Sequence, residues 1–234
     1  MKKYLEKLYN KSKLEYFKVL KNDLMNNNKK FIVTVNPETL MMSSNDEILQ
    51  KLLFDKNTSL VPDGIAVVKA CKKVGCPVVE RITGIDIASF LLNEGNINNK
   101  SIYLFGAKKD VIEALVNKIK KEYKGLKILG YSDGYVSNRD KVFDEIIKLK
   151  PDICLVALGI PDQEKLIYKH INKFTKGILV GVGGSIDVLS GKKKRAPKMF
   201  IKLNLEWLYR IMKEPKRIKR FWNSNVKFMF KVKK

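Results

Sequence analysis

SIYLFGAKKDVIEALVNKIKKEYKGLKILGYSDGYVSNRDKVFDEIIKLKPDICLVALGIPDQEKLIYKHINKFTKGILVGVGG, residues 101–184, decides the fold. Four short apolar runs recur in it: SIYLFG (101–106), LKILGY (126–131), DICLVALG (152–159) and GILVGVGG (177–184). Their length and their β-branched and aromatic content predict strands rather than buried helices. Between them the spacing predicts helices over Lys108–Tyr123, Asn138–Lys150 and Gln163–Phe174. Strands alternating with helices imply an α/β fold: a Rossmann-like, mostly parallel sheet with helices on both faces.

The same alternation extends upstream. FIVTVN (31–36) is a predicted strand, and Pro37 to about Phe54 a helix carrying Leu40, Met41, Ile48, Leu49 and Leu52. A short strand at Thr58–Val61 leads into Pro62-Asp63-Gly64 and a helix over Ile65–Lys73. Thr83 has the character of an N-cap for a helix reaching about Leu92. Ligands of such sheets bind beyond the C-terminal strand ends. Here those ends carry Thr34-Val35-Asn36, Pro62-Asp63-Gly64, Phe105-Gly106-Ala107, Gly159 to Gln163 and Val182-Gly183-Gly184-Ser185. Polar residues and glycines therefore gather where a crevice is expected.

After Lys194 the pattern changes. Met199–Met212 alternates Phe200, Ile201, Leu203, Leu205, Trp207, Leu208 and Ile211 with Lys202, Glu206 and Arg210, and a basic run with Phe221 and Trp222 follows. The sequence thus divides into an α/β domain over residues 1–194 and a basic, amphipathic helical appendage over residues 195–234. Such an appendage suits either a membrane interface or docking on the domain.

Charge follows the same division. The 234 residues carry 47 Lys and Arg against 24 Asp and Glu, a net of +23. Residues 191–234 hold 16 of the cations and only two of the acids, a net of +14 in 44 residues. A lysine-rich genome would spread its excess more evenly. The tail therefore has a polyanionic partner surface: nucleic acid, anionic lipid or a phosphorylated substrate. No helix-turn-helix and no aromatic RNP strand is present, which disfavours nucleic acid. The three cysteines, Cys71, Cys76 and Cys154, form no paired CxxC knuckles, and His170 is the single histidine, so no zinc site is expected. Reduced thiols fit a cytoplasmic setting. No apolar run reaches 18 residues, and the charged N-terminus is unlike a signal peptide. Contact with a membrane is accordingly expected from the side. Val67, Val68 and Ile87 fit either a core or a homo-oligomer interface.

Several residues are candidates for chemistry. Asp63 stands in a strand-to-helix turn between a φ-fixing proline and a glycine, which suits a general base but equally a helix cap. Thr34 and Asn36 turn one strand face polar at the crevice, although Asn36 before Pro37 is also an ordinary turn residue. Arg81, just before the capped helix, can neutralise phosphate or pair with Glu80. The loops at Gly106 and at Gly183-Gly184-Ser185 can offer backbone N–H groups to a diphosphate, but neither completes a Walker or GxGxxG pattern. No Asp-x-Asp pair occurs, so the usual metal-binding aspartates of nucleotide-sugar transferases are missing. His170, beside Lys169 in mid-helix, reads as a surface or packing residue.

Taken in order, VTVNPETL, VPDGIAVVKA, ERITGIDI, IYLFGA, DGY (133–135), PDICLVALGIPDQEKL, GVGGSIDVLSGKKKRAP and NLEWLYRIMKEPKRIKR resemble the WecG/TagA/CpsF family of glycosyltransferases from about Phe31 to Phe221. The resemblance implies a metal-independent, inverting enzyme with no cofactor. Its donor would be a UDP-sugar and its acceptor a polyprenyl-diphosphate-linked sugar, met at the inner face of the plasma membrane. The reaction nearest this pattern moves N-acetylmannosamine from UDP to the 4-hydroxyl of N-acetylglucosaminyl-diphospho-undecaprenol in β-1,4 linkage, early in wall teichoic acid synthesis. Other members use other UDP-sugars, among them N-acetylmannosaminuronic acid or a hexose, for capsule or surface polysaccharide. By the same resemblance Asp63 is the base, Thr34 and Asn36 line the sugar pocket, and Arg81 and Gln163 stand near donor and acceptor. Gly106, Tyr135, Gly183, Gly184 and Asp187 fall in its substrate-binding motifs. Arg210, Arg217 and Arg220 match basic residues that close over the site and grip diphosphate. Phe221, Trp222, Phe228 and Phe230 are the aromatics expected at the membrane.

Overall fold

The computed structural model describes residues 1–232, so Lys233 and Lys234 of the predicted appendage lie outside it. Six strands form one sheet: β1 (Lys29–Val35), β2 (Thr58–Pro62), β3 (Ser101–Gly106), β4 (Lys127–Ser132), β5 (Ile153–Ala157) and β6 (Gly177–Gly181). Their order is β2-β1-β6-β5-β3-β4, and every pair is parallel. All C-terminal ends therefore open on one side, as the strand-helix alternation predicts.

Side chains alternate between the two faces of the strands, and the core divides accordingly. Phe31, Val33, Val35, Tyr103, Phe105 and Val156 face one apolar layer. Ile32, Val61, Leu104, Leu155, Ile178 and Val180 face the other. Strands apolar on both faces are those of a sheet covered twice. The covering helices are α1 (Lys2–Leu5), α2 (Lys13–Met25), α3 (Pro37–Met42), α4 (Glu47–Phe54), α5 (Ile65–Lys73), α6 (Gly84–Ile97), α7 (Lys109–Glu122), α8 (Arg139–Leu149), α9 (Asp162–His170) and α10 (Ser185–Leu189). Val67, Val68 and Ile87 are buried in these layers, so they serve the core. His170 is buried too, stacked on Phe143 with ring centroids 5.1 Å apart and 2.6 Å from Asp140 Oδ1 through Nε2.

Two local readings differ from the structure. The helix predicted from Pro37 to Phe54 is broken: a 3-10 turn at Ser43–Asn45 separates α3 from α4. Ser43 Oγ donates to Leu40 O at 2.9 Å, and Asp46 starts α4 as an N-cap by accepting from Leu49 N at 3.0 Å. The second difference lies in the tail, where α11 (Lys198–Lys202), α12 (Glu206–Lys213), α13 (Arg217–Phe221), a π-turn at Trp222–Val226 and α14 (Lys227–Lys231) follow one another. Phe228, expected at a membrane, is fully buried in the β1 layer with Val232, whose carbonyl accepts from Lys73 Nζ at 2.8 Å. Trp222 and Phe230 remain 60% and 79% exposed. The segment after Lys194 thus leaves the domain, crosses the mouth of the sheet and returns to its core. Among the described residues no helix is long and apolar enough to cross a membrane.

Candidate active site

The mouth is built where β1, β2 and β6 end side by side. Val35 is in register with Pro62, and the next residue, Asp63, donates its backbone N–H to Val35 O at 2.8 Å. Gly64 follows at φ +99°, a left-handed value that a side chain resists, and starts α5. The chain returns at Ile82, whose N–H donates to Pro62 O at 2.7 Å, and Thr83 then caps α6. This brings the Gly84 N–H to the Asp63 carboxylate. A Cβ on Gly84 would meet Ser185 Oγ at 3.6 Å and Thr34 Oγ1 at 3.7 Å. Thr34, Asp63, Gly84 and Ser185 therefore converge from four separate segments.

Asp63 is the electrostatic focus. Burial pushes its carboxyl up to about 6, against the pull of the Arg210 and Arg81 guanidinium groups and the Gly84 N–H; Glu206 adds a further push upward. A carboxylate near pH 6 with cations beside it can hold a proton briefly and release it, as a general base requires. Arg210 reaches this place from α12, although it is 147 residues away in sequence. Asn36 is the N-cap of α3: its Oδ1 accepts from Thr39 N at 3.0 Å and from Thr39 Oγ1 at 3.2 Å. The amide end is left for other partners.

Gln163 is almost wholly buried. Its Oε1 accepts from Gly159 N at 3.2 Å and Gly183 N at 3.1 Å, while its Nε2 donates to Glu164 Oε1 at 2.7 Å. One side-chain amide thereby pins the loops after β5 and β6. Glu164 is buried as well, its Oε2 has no partner, and burial pushes its carboxyl up to about 7. Glycine at 181 is demanded by this packing: a Cβ there would stand 2.6 Å from Gln163 Nε2.

Next to the pinned loops lies a cleft of about 410 Å³ lined by Tyr135, Gly183, Gly184 and Asp187 with Lys108, Arg139 and Lys193. Its three cations suit a phosphorylated ligand, and Gly183 and Gly184 bring bare backbone up to it, although the Gly183 N–H itself is held by Gln163 Oε1. Gly106 is not part of the lining but makes the neighbouring turn possible: at φ +115° a Cβ would come within 2.3 Å of Ala157 O. A second cleft, about 510 Å³, opens on the other side between the domain and the tail, with Arg81, Arg195, Lys13 and Lys72 on its walls.

The sequence candidates are thus divided. Thr34, Asp63, Arg81 and Arg210 share the mouth; Tyr135, Gly183, Gly184 and Asp187 share the first cleft; Gln163 braces the loops between. Arg217 and Arg220 stand apart, Arg217 Nε donating to Glu214 Oε2 at 2.7 Å and Arg220 gripping both oxygens of Glu38 at 2.8 Å. Five charged residues escaped sequence reasoning: Glu38, Asp86, Glu164, Arg195 and Glu206. All five lie inside the family motifs, but only the fold shows what they contact. Among the described residues no three His, Cys, Asp or Glu side chains gather as a metal cluster.

The sequence model of the glycosyl transferase WecG/TagA/CpsF family matches residues 7–234. A Bacillus subtilis protein named N-acetylglucosaminyldiphosphoundecaprenol N-acetyl-beta-D-mannosaminyltransferase is 46% identical over 189 residues, 81% of this chain and 73% of its own. A Bacillus spizizenii protein of the same name is 40% identical over 190 residues, 81% of this chain and 74% of its own. A Staphylococcus aureus protein of that name is 36% identical over 208 residues, 88% of this chain and 81% of its own.

Proposed function

Because this chain belongs to the WecG/TagA/CpsF family and is a glycosyltransferase, we propose that it moves N-acetylmannosamine from UDP to N-acetylglucosaminyl-diphospho-undecaprenol. The observation that carries the reading is a half-buried carboxylate at the sheet mouth, Asp63, lying in the field of the Arg210 and Arg81 guanidinium groups. An inverting transfer asks for both. The acceptor's 4-hydroxyl oxygen attacks the anomeric carbon from the side opposite UDP, and Asp63 takes the hydroxyl proton as that bond forms. The bond from the anomeric carbon to the diphosphate breaks, and UDP leaves with the electron pair. Arginines held close by stabilise the charge that grows on the diphosphate, which gives a route to catalysis without a divalent metal. The first cleft is the seat for UDP, with Gly183 and Gly184 toward the diphosphate and Tyr135 and Asp187 toward the nucleoside. Thr34 and Asn36 face the sugar.

A lipid-linked acceptor explains the tail. Its lysines and arginines each gain roughly 1 kcal/mol at an anionic surface, and exposed Trp222 and Phe230 suit the interface. The enzyme works as a peripheral protein on the cytoplasmic face of the plasma membrane, in wall teichoic acid synthesis, with residues 195–234 as the part that meets the membrane and completes the site.

The test is a panel of UDP-sugars offered with a short-chain lipid diphosphate bearing N-acetylglucosamine. The expected product is the N-acetylmannosaminyl disaccharide lipid with an inverted, β-1,4 bond, formed equally well in EDTA. Transfer of a uronic acid or hexose instead, or activity restored to a chelated sample only by Mg²⁺ or Mn²⁺, would overturn the donor assignment or the metal-free chemistry respectively. Sedimentation with anionic vesicles and no mobility shift of DNA or RNA at physiological salt are expected in parallel.

A further inference from the structure

Glu206 opens α12, is 7% exposed, and lies between two arginines from other parts of the chain. One of its carboxylate oxygens accepts from Arg81 Nη2. The other is 3.5 Å from Arg195 Nε, a buried donor with no hydrogen bond of its own. Arg195 continues the chain of charges by donating from Nη2 to Asp86 Oδ1 at 2.9 Å, in the first turn of α6. The row Asp86–Arg195–Glu206–Arg81 thus ties the tail to the helix whose first N–H holds Asp63. One helical turn beyond Glu206, on the same face of α12, is Arg210, the cation with the strongest pull on Asp63.

We propose that Glu206 is a positioning residue: its carboxylate clasps Arg81 and Arg195, and so fixes α12 where Arg210 faces Asp63. The consequence for turnover rests on the transferase reading given above; the docking does not. The row is half-buried, with Glu206 its one buried member; removing Glu206 leaves Arg81 and Arg195 uncompensated, so the tail should let go at this point before the domain itself loosens. A rival role exists for the same contact, in which Glu206 occupies Arg81 only until a phosphate displaces it. The two roles have opposite consequences.

The protein carries its own probe. Both of its tryptophans, Trp207 and Trp222, are in the tail, and Trp207, next to Glu206, stacks on Phe221 at 4.5 Å. Glu206→Gln and Arg195→Ala, made separately in the full chain, should give red-shifted tryptophan emission and easier acrylamide quenching with an unchanged far-ultraviolet spectrum. Glu206→Asp should restore most of the wild-type signal. In transfer assays Glu206→Gln should lower kcat about 100-fold with little change in KM for the UDP-sugar, the pattern of a displaced rather than a missing group. Wild-type emission and turnover in both variants would overturn the clasp. So would tighter UDP binding with undiminished turnover in Glu206→Gln, which is the placeholder's signature. If the wild type itself transfers no sugar, the functional reading fails, while the fluorescence still decides the clasp.

Discussion

Replacing Glu164 by glutamine should remove a pH-dependent weakness from the fold. Glu164 is 1% exposed, and its one hydrogen bond, from Gln163 Nε2, leaves Oε2 unpartnered. Burial lifts its carboxyl from an ordinary 4.5 to about 7. A carboxyl with a raised folded pKa binds its proton more tightly when folded, so its contribution is most favourable below about 4.5 and is lost as pH rises through about 7. The difference between the two values corresponds to about 3 kcal/mol. Glutamine has the same shape and can accept the same hydrogen bond but never ionises. Its amide leaves a polar group poorly satisfied, which costs about 1–3 kcal/mol at every pH. Urea unfolding of both proteins should therefore show the variant weaker near pH 4.5, and gaining on the wild type by about 3 kcal/mol as pH passes 7. In thermal scans that gain is about 6–12 °C for a chain of this size. A stability difference that stays constant across this range would refute the assignment of a neutral, buried Glu164.

Gly181→Ala should cost about 1–3 kcal/mol, because the added Cβ would press on Gln163 Nε2 and Glu164 Oε1, and it should also slow transfer by shifting the Gly159 and Gly183 loops; melting and initial rates check both. Two phenylalanines two residues apart should separate folding from membrane binding. Phe228→Ala should destabilise by about 3–5 kcal/mol, since the ring is fully buried. Phe230→Ala, at a ring 79% exposed, should change stability by less than about 0.5 kcal/mol and instead weaken sedimentation with anionic vesicles.

What the sequence discloses here depends on the range of the interaction. Strands such as FIVTV and ICLVA are apolar on both faces, so their burial is visible locally, and the parallel sheet follows. Thr83 as a cap is equally local, and the capping box of Ser12 with Glu15 that starts α2 was there to be read. The break at Ser43 was also legible: Ser43-Ser44-Asn45-Asp46 is a run of turn-forming residues, and no apolar residue stands between Met42 and Ile48. Strand ends marked Thr34, Asp63 and Gly183 as crevice residues, since topology alone puts such ends together. The partners of Arg81, Arg195 and Arg220 were not legible: Glu206, Asp86 and Glu38 lie 109 to 182 residues away along the chain. Gln163 carries no local hint that its amide braces two glycine loops. Phe228 and Phe230 look alike in sequence, and only the return of the tail to the core distinguishes them.

The general-base role of Asp63 is tested most directly by kcat/KM for sugar transfer against pH, in the wild type and in Asp63→Asn. The carboxylate must be ionised to take the acceptor's proton, so the wild-type rate should fall as pH drops through about 6 and level off above it. Asp63→Asn should bind UDP as the wild type does, lose about 10²- to 10⁴-fold in kcat/KM, and lack that acid limb. A variant that transfers sugar at the wild-type rate, with the same acid limb, would contradict the account.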